Sequence, residues 1–561
     1  MPSPTRRKLI FSFLLILFSV LVYRPFLNYQ PWLAQGDHGN QLYIFYLAFL
    51  GHLPYRSAFS VYGPLMPYYF ALFFFILGAQ IKSVLLAKLI LSAASVVVFY
   101  WTLEALTLSS GIALLGAVWF LLFNSEFVHC YNHAGGILAM LVSSYFLFAY
   151  FRKQKKIYVY AGAFSLFALL FIKLNIGLST TAAFLASSFV MDRSHGAGFI
   201  LFRDKKILLF YLFSWLAVFG VYFFLFYGLP SYYTNQCLPY WGGKLTKAGI
   251  SLEPVAYIFE YFVDKCALFV SPKAVMILAL LSSADWALSS PYKSFKIKSG
   301  LFIPMIAVIL FYFFSIHEFL LNPDFSYKIF WGDAFLALGI FALIERLFLR
   351  LGKFRPVGVA ILACVLAFDL CLVLLPGKTP PKAMEPNEKF DRTSPAMTRY
   401  FMAEFTKPSH FVPVRGAEIY VNNDADWIST VKRTVDFLNS HLKKDETFFA
   451  LPYDPLYYFL TQKTAPVRET IFFDLSHMPP EQEVEIIRSL EDKKVDYVLL
   501  SSRQHSFEPS LGFFGYSYCP ILAQYLYKNF RGVAIYGNWN AFPRWAQNHA
   551  VLILKRTAYL K

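Results

Sequence analysis

Residues 207–227 read ILLFYLFSWLAVFGVYFFLFY, a run without a charged side chain that follows directly on Arg203-Asp204-Lys205-Lys206. About 20 apolar residues are needed for a helix to cross the hydrocarbon core of a bilayer. In water such a run would aggregate, whereas in lipid a helix satisfies every backbone group within itself. Comparable runs recur through residues 1–375. They predict spans near 9–27, 83–101, 106–123, 134–151, 157–172, 177–191, 207–227, 266–288, 300–320, 329–349 and 357–375, about eleven in all. Composition agrees: charged residues make up 15 % of the chain, against about 25 % in a soluble domain.

The formal net charge is +17. In a soluble protein this would point to nucleic acid. Here the cations gather in short clusters between apolar runs: Arg6-Arg7-Lys8, Arg152-Lys153 with Lys155-Lys156, Arg203 with Lys205-Lys206, Lys293 with Lys296 and Lys298, and Arg346 to Arg355. Basic loops stay cytoplasmic, so the clusters orient helices and do not suggest nucleic-acid binding. One apolar segment, Pro64–Gly78, is excluded from the spans. Counting it would put every later basic cluster outside, whereas omitting it keeps all of them on the side of the N-terminus. Its shortness and its two prolines, Pro64 and Pro67, fit an interfacial or re-entrant segment. The stretch Leu9–Tyr23 is short and follows basic residues, but Arg24-Pro25 comes next instead of a small-residue cleavage site, so it reads as an uncleaved first span. There is no CxxC pair. Cys237 and Cys266 could meet in or beside one external loop, although buried free thiols fit as well.

After Pro376 the composition changes. Pro376, Pro380, Pro381 and Pro386 mark a linker, charge rises and the long apolar runs end. Thr447–Leu451 and Val495–Ser501 read as buried strands, Val551–Lys555 as a last strand, and Trp427–Leu442 and Glu481–Glu491 as amphipathic helices. The expected fold class is therefore a multi-pass α-helical membrane domain, residues 1–375, with its first external loop at 28–82. An extracytoplasmic α/β domain, residues 376–561, follows it.

Ionisable groups near a bilayer are costly unless solvated or paired, so their placement is informative. Asp37, in Gln35-Gly36-Asp37-His38-Gly39, precedes a short helix expected at Asn40–Leu50. It could cap that helix, act as a general base or bind a metal. Arg56 brings a planar fork suited to phosphate to the same loop, and lipid headgroups could use it equally. Lys173, between two apolar spans, needs a partner, a water-lined cavity or an anionic lipid. His38 and Tyr62 flank the first-loop motifs and could line a substrate. Glu126, His129 and His133 lie on the second external loop, where Glu126 and His133 could line a substrate and a metal could be held. His317 and Glu318 belong to the fifth external loop and could line an acceptor groove.

Taken in order, the acidic first loop, Gly51-His52-Leu53-Pro54-Tyr55-Arg56, Tyr62-Gly63-Pro64-Leu65 and Lys173-Leu174-Asn175-Ile176-Gly177 resemble the bacterial polyprenyl-phosphate-sugar-dependent glycosyltransferases of the GT-C fold. The protein O-mannosyltransferases and the aminoarabinose transferase of lipid A are relatives of this group. The run Leu451-Pro452-Tyr453-Asp454-Pro455-Leu456-Tyr457-Tyr458 resembles the soluble part of some bacterial members. The resemblance implies that Asp37 is the catalytic carboxylate and that Arg56 and Lys173 bind the donor phosphate. It also implies a bacterial inner-membrane location with the N-terminus cytoplasmic. Membrane lipids and a polyprenyl-phosphate sugar would be partners, with an unidentified acceptor. Two departures stand out. Asp37-His38 replaces the Asp-Glu of many relatives. Gly135-Gly136 stands where many carry an acidic residue, so that Glu126 is the nearest substitute. A divalent cation would then rest on Asp37 and Glu126.

The implied donor leaves as a phosphate anion, so no general acid is needed, and one base suffices to take the acceptor proton. Inverting transfer at the outer leaflet is the expectation. Two rival classes remain: a transporter or flippase, and a non-catalytic envelope assembly protein. Transporters place ionisable residues near the midplane, often between two related halves; no halves are visible here.

Overall fold

The computed structural model describes residues 4–30, 32–106, 109–123, 131–194, 196, 198–237, 302–315, 330–350, 356–357, 359–360, 363–364, 409–473, 478–504, 512–541 and 549–557. Contacts divide the chain into two units. One draws on residues 1–24, 88–219 and 241–406, the other on 25–87, 220–240 and 407–561.

The helices in chain order are α1 Pro4–Tyr23, α2 Asp37–Phe49, α3 Leu65–Leu77, α4 Ile81–Leu106, α5 Ser110–Phe123, α6 Tyr131–Lys153, α7 Ile157–Leu170, α8 Leu174–Ser194, the short α9 Ile200–Arg203, α10 Lys205–Phe226, α11 Ser231–Cys237, α12 Phe302–Ser315 and α13 Phe330–Arg350. The expected spans at 9–27, 83–101, 106–123, 134–151, 157–172, 177–191, 207–227, 300–320 and 329–349 each coincide with one of them. The span at 266–288 and most of that at 357–375 lie outside the described residues, as does the boundary at 375–376. Among the described residues four helices are long and apolar enough to cross a membrane: α4, α6, α8 and α10. The apolar helices α3, α5, α7 and α12 are shorter. On α10, Phe213, Leu216, Phe219 and Phe223 are each about two-thirds exposed, an apolar face of the kind that meets lipid.

In the first unit the helices pack in the order α1, α5, α13, α12, α8, α7, α6. One end gathers the first three basic clusters. Glu104 on α4 accepts from Tyr100 at 2.7 Å and from Ser110 at 2.8 Å, and it pairs with Lys8 of α1 at 3.6 Å. Arg152 of α6 donates to the Glu104 carbonyl at 2.8 Å. Asp192 of α8 accepts from Tyr150 at 2.9 Å and from the Ile200 amide at 2.8 Å, and Lys156 pairs with Asp204. These contacts tie the first three clusters to one rim. The side chains of the two later clusters lie outside the described residues.

In the second unit, α2 is a helix of 13 residues in which every side chain from His38 to Ala48 is buried. Its apolar residues 42–48 are packed on all sides, and the buried polar side chains of its first turns are hydrogen-bonded: His38 to the Ala34 amide, Asn40 to Thr470 and Gln41 to the Asp37 carbonyl. Phe45 stacks on Phe70 of α3, ring centroids 4.4 Å apart, while Tyr43 meets Tyr458 at 5.2 Å. The segment 64–78 forms α3, whose 13 residues reach about 20 Å, short of a roughly 30 Å hydrocarbon core. Its C-terminal face leaves Leu72, Phe75 and Ile76 exposed, which fits the expected interfacial position.

The rest of this unit is α/β. It contains β1 His410–Phe411, β2 Tyr420–Val421, α14 Ala425–His441, β3 Phe448–Leu451, α15 Leu456–Thr461, α16 Pro480–Asp492, β4 Tyr497–Ser501, α17 Pro520–Asn529, β5 Phe530–Tyr536 and β6 Val551–Arg556. The four-stranded sheet has the order β3-β4-β6-β5, with β3 and β4 parallel and the remaining pairs antiparallel. Every residue of β3 and β4 is buried, as expected of parallel strands covered on both faces. Phe449, Leu451, Ile486, Leu490, Val498 and Leu522 form the core on one side. The predicted strands and helices of this domain appear within a few residues; β1, β2, α15, β5 and α17 were not anticipated. The first-loop residues 28–82, expected to belong with the membrane half, make their contacts with these C-terminal elements. Cys237 is a buried free thiol, and Cys266 lies outside the described residues.

Gly177 of α8 carries a clear packing constraint. A Cβ there would lie 2.7 Å from the Leu170 Cα and 2.8 Å from its amide nitrogen, backbone that cannot rotate away. Gly177→Ala should lower stability by about 1–3 kcal/mol. Gly220→Ala, where a Cβ meets nothing within 4 Å, should be neutral or slightly stabilising. Thermal unfolding of the purified protein in detergent checks both.

Candidate functional site

The site begins at the carboxyl ends of the two parallel strands, where open α/β sheets present their loops. The loop after β3 carries Tyr453 and Asp454. The turn after β4 carries Ser502 and Arg503. The Arg503 guanidinium is buried and lies 5.7 Å from the Tyr453 ring and 5.8 Å from that of Phe473. Tyr453 and Phe473 meet edge to face at 5.3 Å.

Residues 33–40 dock on this edge. The Gln35 carboxamide donates to the Tyr457 hydroxyl at 3.0 Å, and its oxygen meets Nδ1 of His549. The Gln35 carbonyl accepts from the Leu456 amide at 3.3 Å. Asn423 accepts from the Leu33 amide at 3.0 Å, and Thr470 donates to Asn40 at 3.3 Å. Two glycines allow the approach. A Cβ on Gly36 would fall 2.4 Å from the Tyr453 ring, and one on Gly39 would fall 2.6 Å from the Leu456 amide nitrogen.

Asp37 is thereby placed as the first residue of α2, and Gly36, without a side-chain cap, is the N-cap. This corrects the expectation of a helix starting at Asn40 and of Asp37 as its cap. The docked glycines draw the helix start three residues earlier. An acidic first-turn residue still suits the positive end of the helix dipole. Asp37 is exposed while the following residues of α2 are buried, and its Oδ1 accepts from the Tyr453 hydroxyl at 2.9 Å.

The other expected residues fall as follows. His38 is buried, and its Nδ1 accepts from the Ala34 amide at 3.0 Å, so its ring closes the 34–38 turn. Tyr62 is half-buried; its carbonyl accepts from Tyr55 at 2.6 Å. Arg56 is exposed. One Nη donates to the carbonyls of Phe224 at 2.8 Å and Tyr227 at 3.2 Å, at the C-terminal end of α10, and the guanidinium lies 5.2 Å from the Phe224 ring. Part of the fork thus caps a helix and the remainder faces outward. In the first unit, Lys173 holds its Nζ 5.3 Å from the ring of Trp331, and buried His133 meets the same indole edge-on at 5.0 Å. Gly136, where an acidic residue was missed, lies so close that a Cβ would come 2.7 Å from Trp331; the indole fills that space. Glu126, His129, His317 and Glu318 lie outside the described residues. Among the described residues no three metal-ligating side chains cluster.

Sequence reasoning missed three groups. Lys88, within the apolar span of α4, is 1 % exposed, with its Nζ 5.8 Å from the Tyr131 ring. A lone cation in an apolar run is the signal that could have found it. Tyr453 lies 416 residues from Asp37, and no local pattern links them. Asp454 is 1 % exposed, and neither carboxylate oxygen has a hydrogen-bond partner among the described residues.

No family model and no curated relative matches the chain. Solved structures do. ArnT from Cupriavidus metallidurans bound to undecaprenyl phosphate matches at a TM-score of 0.51 and 12 % identity, over 98 % of each chain. The same protein in the apo state matches at 0.49 and 13 %, over 96 % of this chain and 97 % of the other. The apo oligosaccharyltransferase of Archaeoglobus fulgidus matches at 0.49 and 11 %, over 89 % of this chain and 70 % of the other. The end-to-end match to ArnT identifies the fold as that of the GT-C membrane glycosyltransferases, in agreement with the resemblance of the first-loop motifs.

Burial pushes the Asp454 carboxyl up to about 6 from 3.8, with the Ser501 hydroxyl and the Arg503 charge acting in the opposite direction. A raised folded-state value stabilises the fold below the unfolded value, and that stabilisation is lost as pH rises through about 6. Asp454→Asn should therefore melt above the wild type at neutral pH, by the equivalent of about 2–3 kcal/mol, and this advantage should vanish in acid below 3.8. Melting curves of both proteins across this window check the sign.

Proposed function

We propose that the chain is a membrane glycosyltransferase. It moves a sugar from a polyprenyl-phosphate donor to a glycan, lipid or protein acceptor of the envelope, at the outer leaflet of a bacterial inner membrane, with inversion. The position of Asp37 carries this reading: an exposed carboxylate heads a buried helix and accepts from the Tyr453 hydroxyl. The fold supports it too, since ArnT, of the same architecture, holds undecaprenyl phosphate.

The chemistry is a single displacement. The acceptor hydroxyl gives its proton to the Asp37 carboxylate as its oxygen bonds to the anomeric carbon. The bond from that carbon to the phosphate oxygen breaks, and the electron pair leaves on the lipid phosphate. Charge grows on that phosphate, so nearby cations lower the barrier. Arg56 and Lys173 are the residues proposed for this from the sequence. Arg56 has guanidinium nitrogens beyond those that cap α10, and its planar fork suits a phosphate. The exposed apolar face of α3 would lie along the polyprenyl tail in the interface.

Asp37→Asn should reduce turnover by about 10²–10⁴-fold while leaving the melting temperature near that of wild type. Release of lipid phosphate from a panel of polyprenyl-phosphate sugars in liposomes, with acceptor glycolipids present, measures this. Equal turnover by the two proteins would remove Asp37 from the mechanism.

A further inference from the structure

We propose that Tyr453 is the positioning residue for Asp37, so that a side chain of the C-terminal α/β domain sets the orientation of the reacting carboxylate. The inference rests on the reading of Asp37 as base. It assigns a function to residues 409–557, to which the chemistry above gives none.

The geometry carries it. The Tyr453 phenol donates to Asp37 Oδ1 at 2.9 Å. Its ring is trapped: Gly36 lies flat against one part, with space for no Cβ, Phe473 packs edge-on, and the buried Arg503 guanidinium lies beyond. The hydroxyl therefore cannot swing away without disturbing a packed cluster. On its other side the base is fixed by the backbone of α2, which is itself docked through Gln35 and Gly39 on Tyr457 and Leu456. A donor held on one carboxylate oxygen limits rotation of the carboxylate plane, which matters because proton transfer needs the accepting oxygen within hydrogen-bond reach of the acceptor hydroxyl. The charged and titratable groups of the surrounding elements are Asp454, Tyr457 and His549 from the docking edge, Arg503 after β4, and His38 on α2 itself. His38 turns its Nδ1 inward to the Ala34 amide, and Tyr457 and His549 are held by Gln35.

Tyr453→Phe removes the hydroxyl and keeps the ring in its slot against Gly36, so the fold should survive. Two measurements separate this inference from the reading it rests on. The first is turnover of any polyprenyl-phosphate sugar that the wild type uses: in Tyr453→Phe, kcat should fall about tenfold with donor KM unchanged. The second combines the substitutions: if Tyr453 acts through Asp37, Tyr453→Phe should cost nothing further in the Asp37→Asn background. An unchanged kcat in Tyr453→Phe, or an equal loss in both backgrounds, would overturn the inference. Full activity in Asp37→Asn would remove the base itself, and that result is read without reference to Tyr453→Phe.

Discussion

The close approach of residues 33–40 to residues 453–457 is the constraint on which the candidate site depends. Gly36 and Gly39 bring one backbone within reach of a tyrosine ring and of another backbone. Gln35 then uses both ends of its carboxamide across the contact. A larger residue at either glycine would hold the two segments apart, and the exposed carboxylate at position 37 would lose its partner. Helix α2 owes its stability to the same contact. It is only 13 residues long, and isolated helices of that length are marginal in water. Enclosure by α3 and α15 stabilises it, and its position is settled by what encloses it.

The chemistry proposed at this site needs few groups. A donor whose leaving group is already an anion requires no acid, which removes one member of the carboxylate pair found in ordinary glycoside hydrolysis. What remains is one base, held in orientation, and cations for the departing phosphate. The tyrosine–aspartate contact serves the first need. Arg56 and Lys173 are the groups proposed for the second.

Much of this was legible in the sequence, for physical reasons. The membrane helices are set by run length and by basic clusters, and the ties among Lys8, Glu104, Arg152, Lys156 and Asp204 reproduce the shared rim. The buried strands β3 and β4 announce themselves as short continuous apolar runs. Strand β5 does not, because Phe530–Tyr536 is an edge strand with most of its residues exposed or half-exposed. The start of α2 was read three residues late because Asp37-His38-Gly39 looks like a turn in isolation; only the docked partner makes it helical. Lys88 was hidden by its apolar neighbours. The Tyr453–Asp37 pair was invisible for a deeper reason: its two members lie at opposite ends of the chain, and local periodicity carries no information about such a contact.

The central claim is that one carboxylate drives a single displacement at the anomeric carbon. The anomeric configuration of the product tests it most directly, read from the proton coupling at that carbon by NMR after transfer from a donor of known anomer. The account predicts the opposite configuration in the product. Retention would require a second nucleophile and a covalent intermediate, and would contradict the assignment of Asp37 as the base.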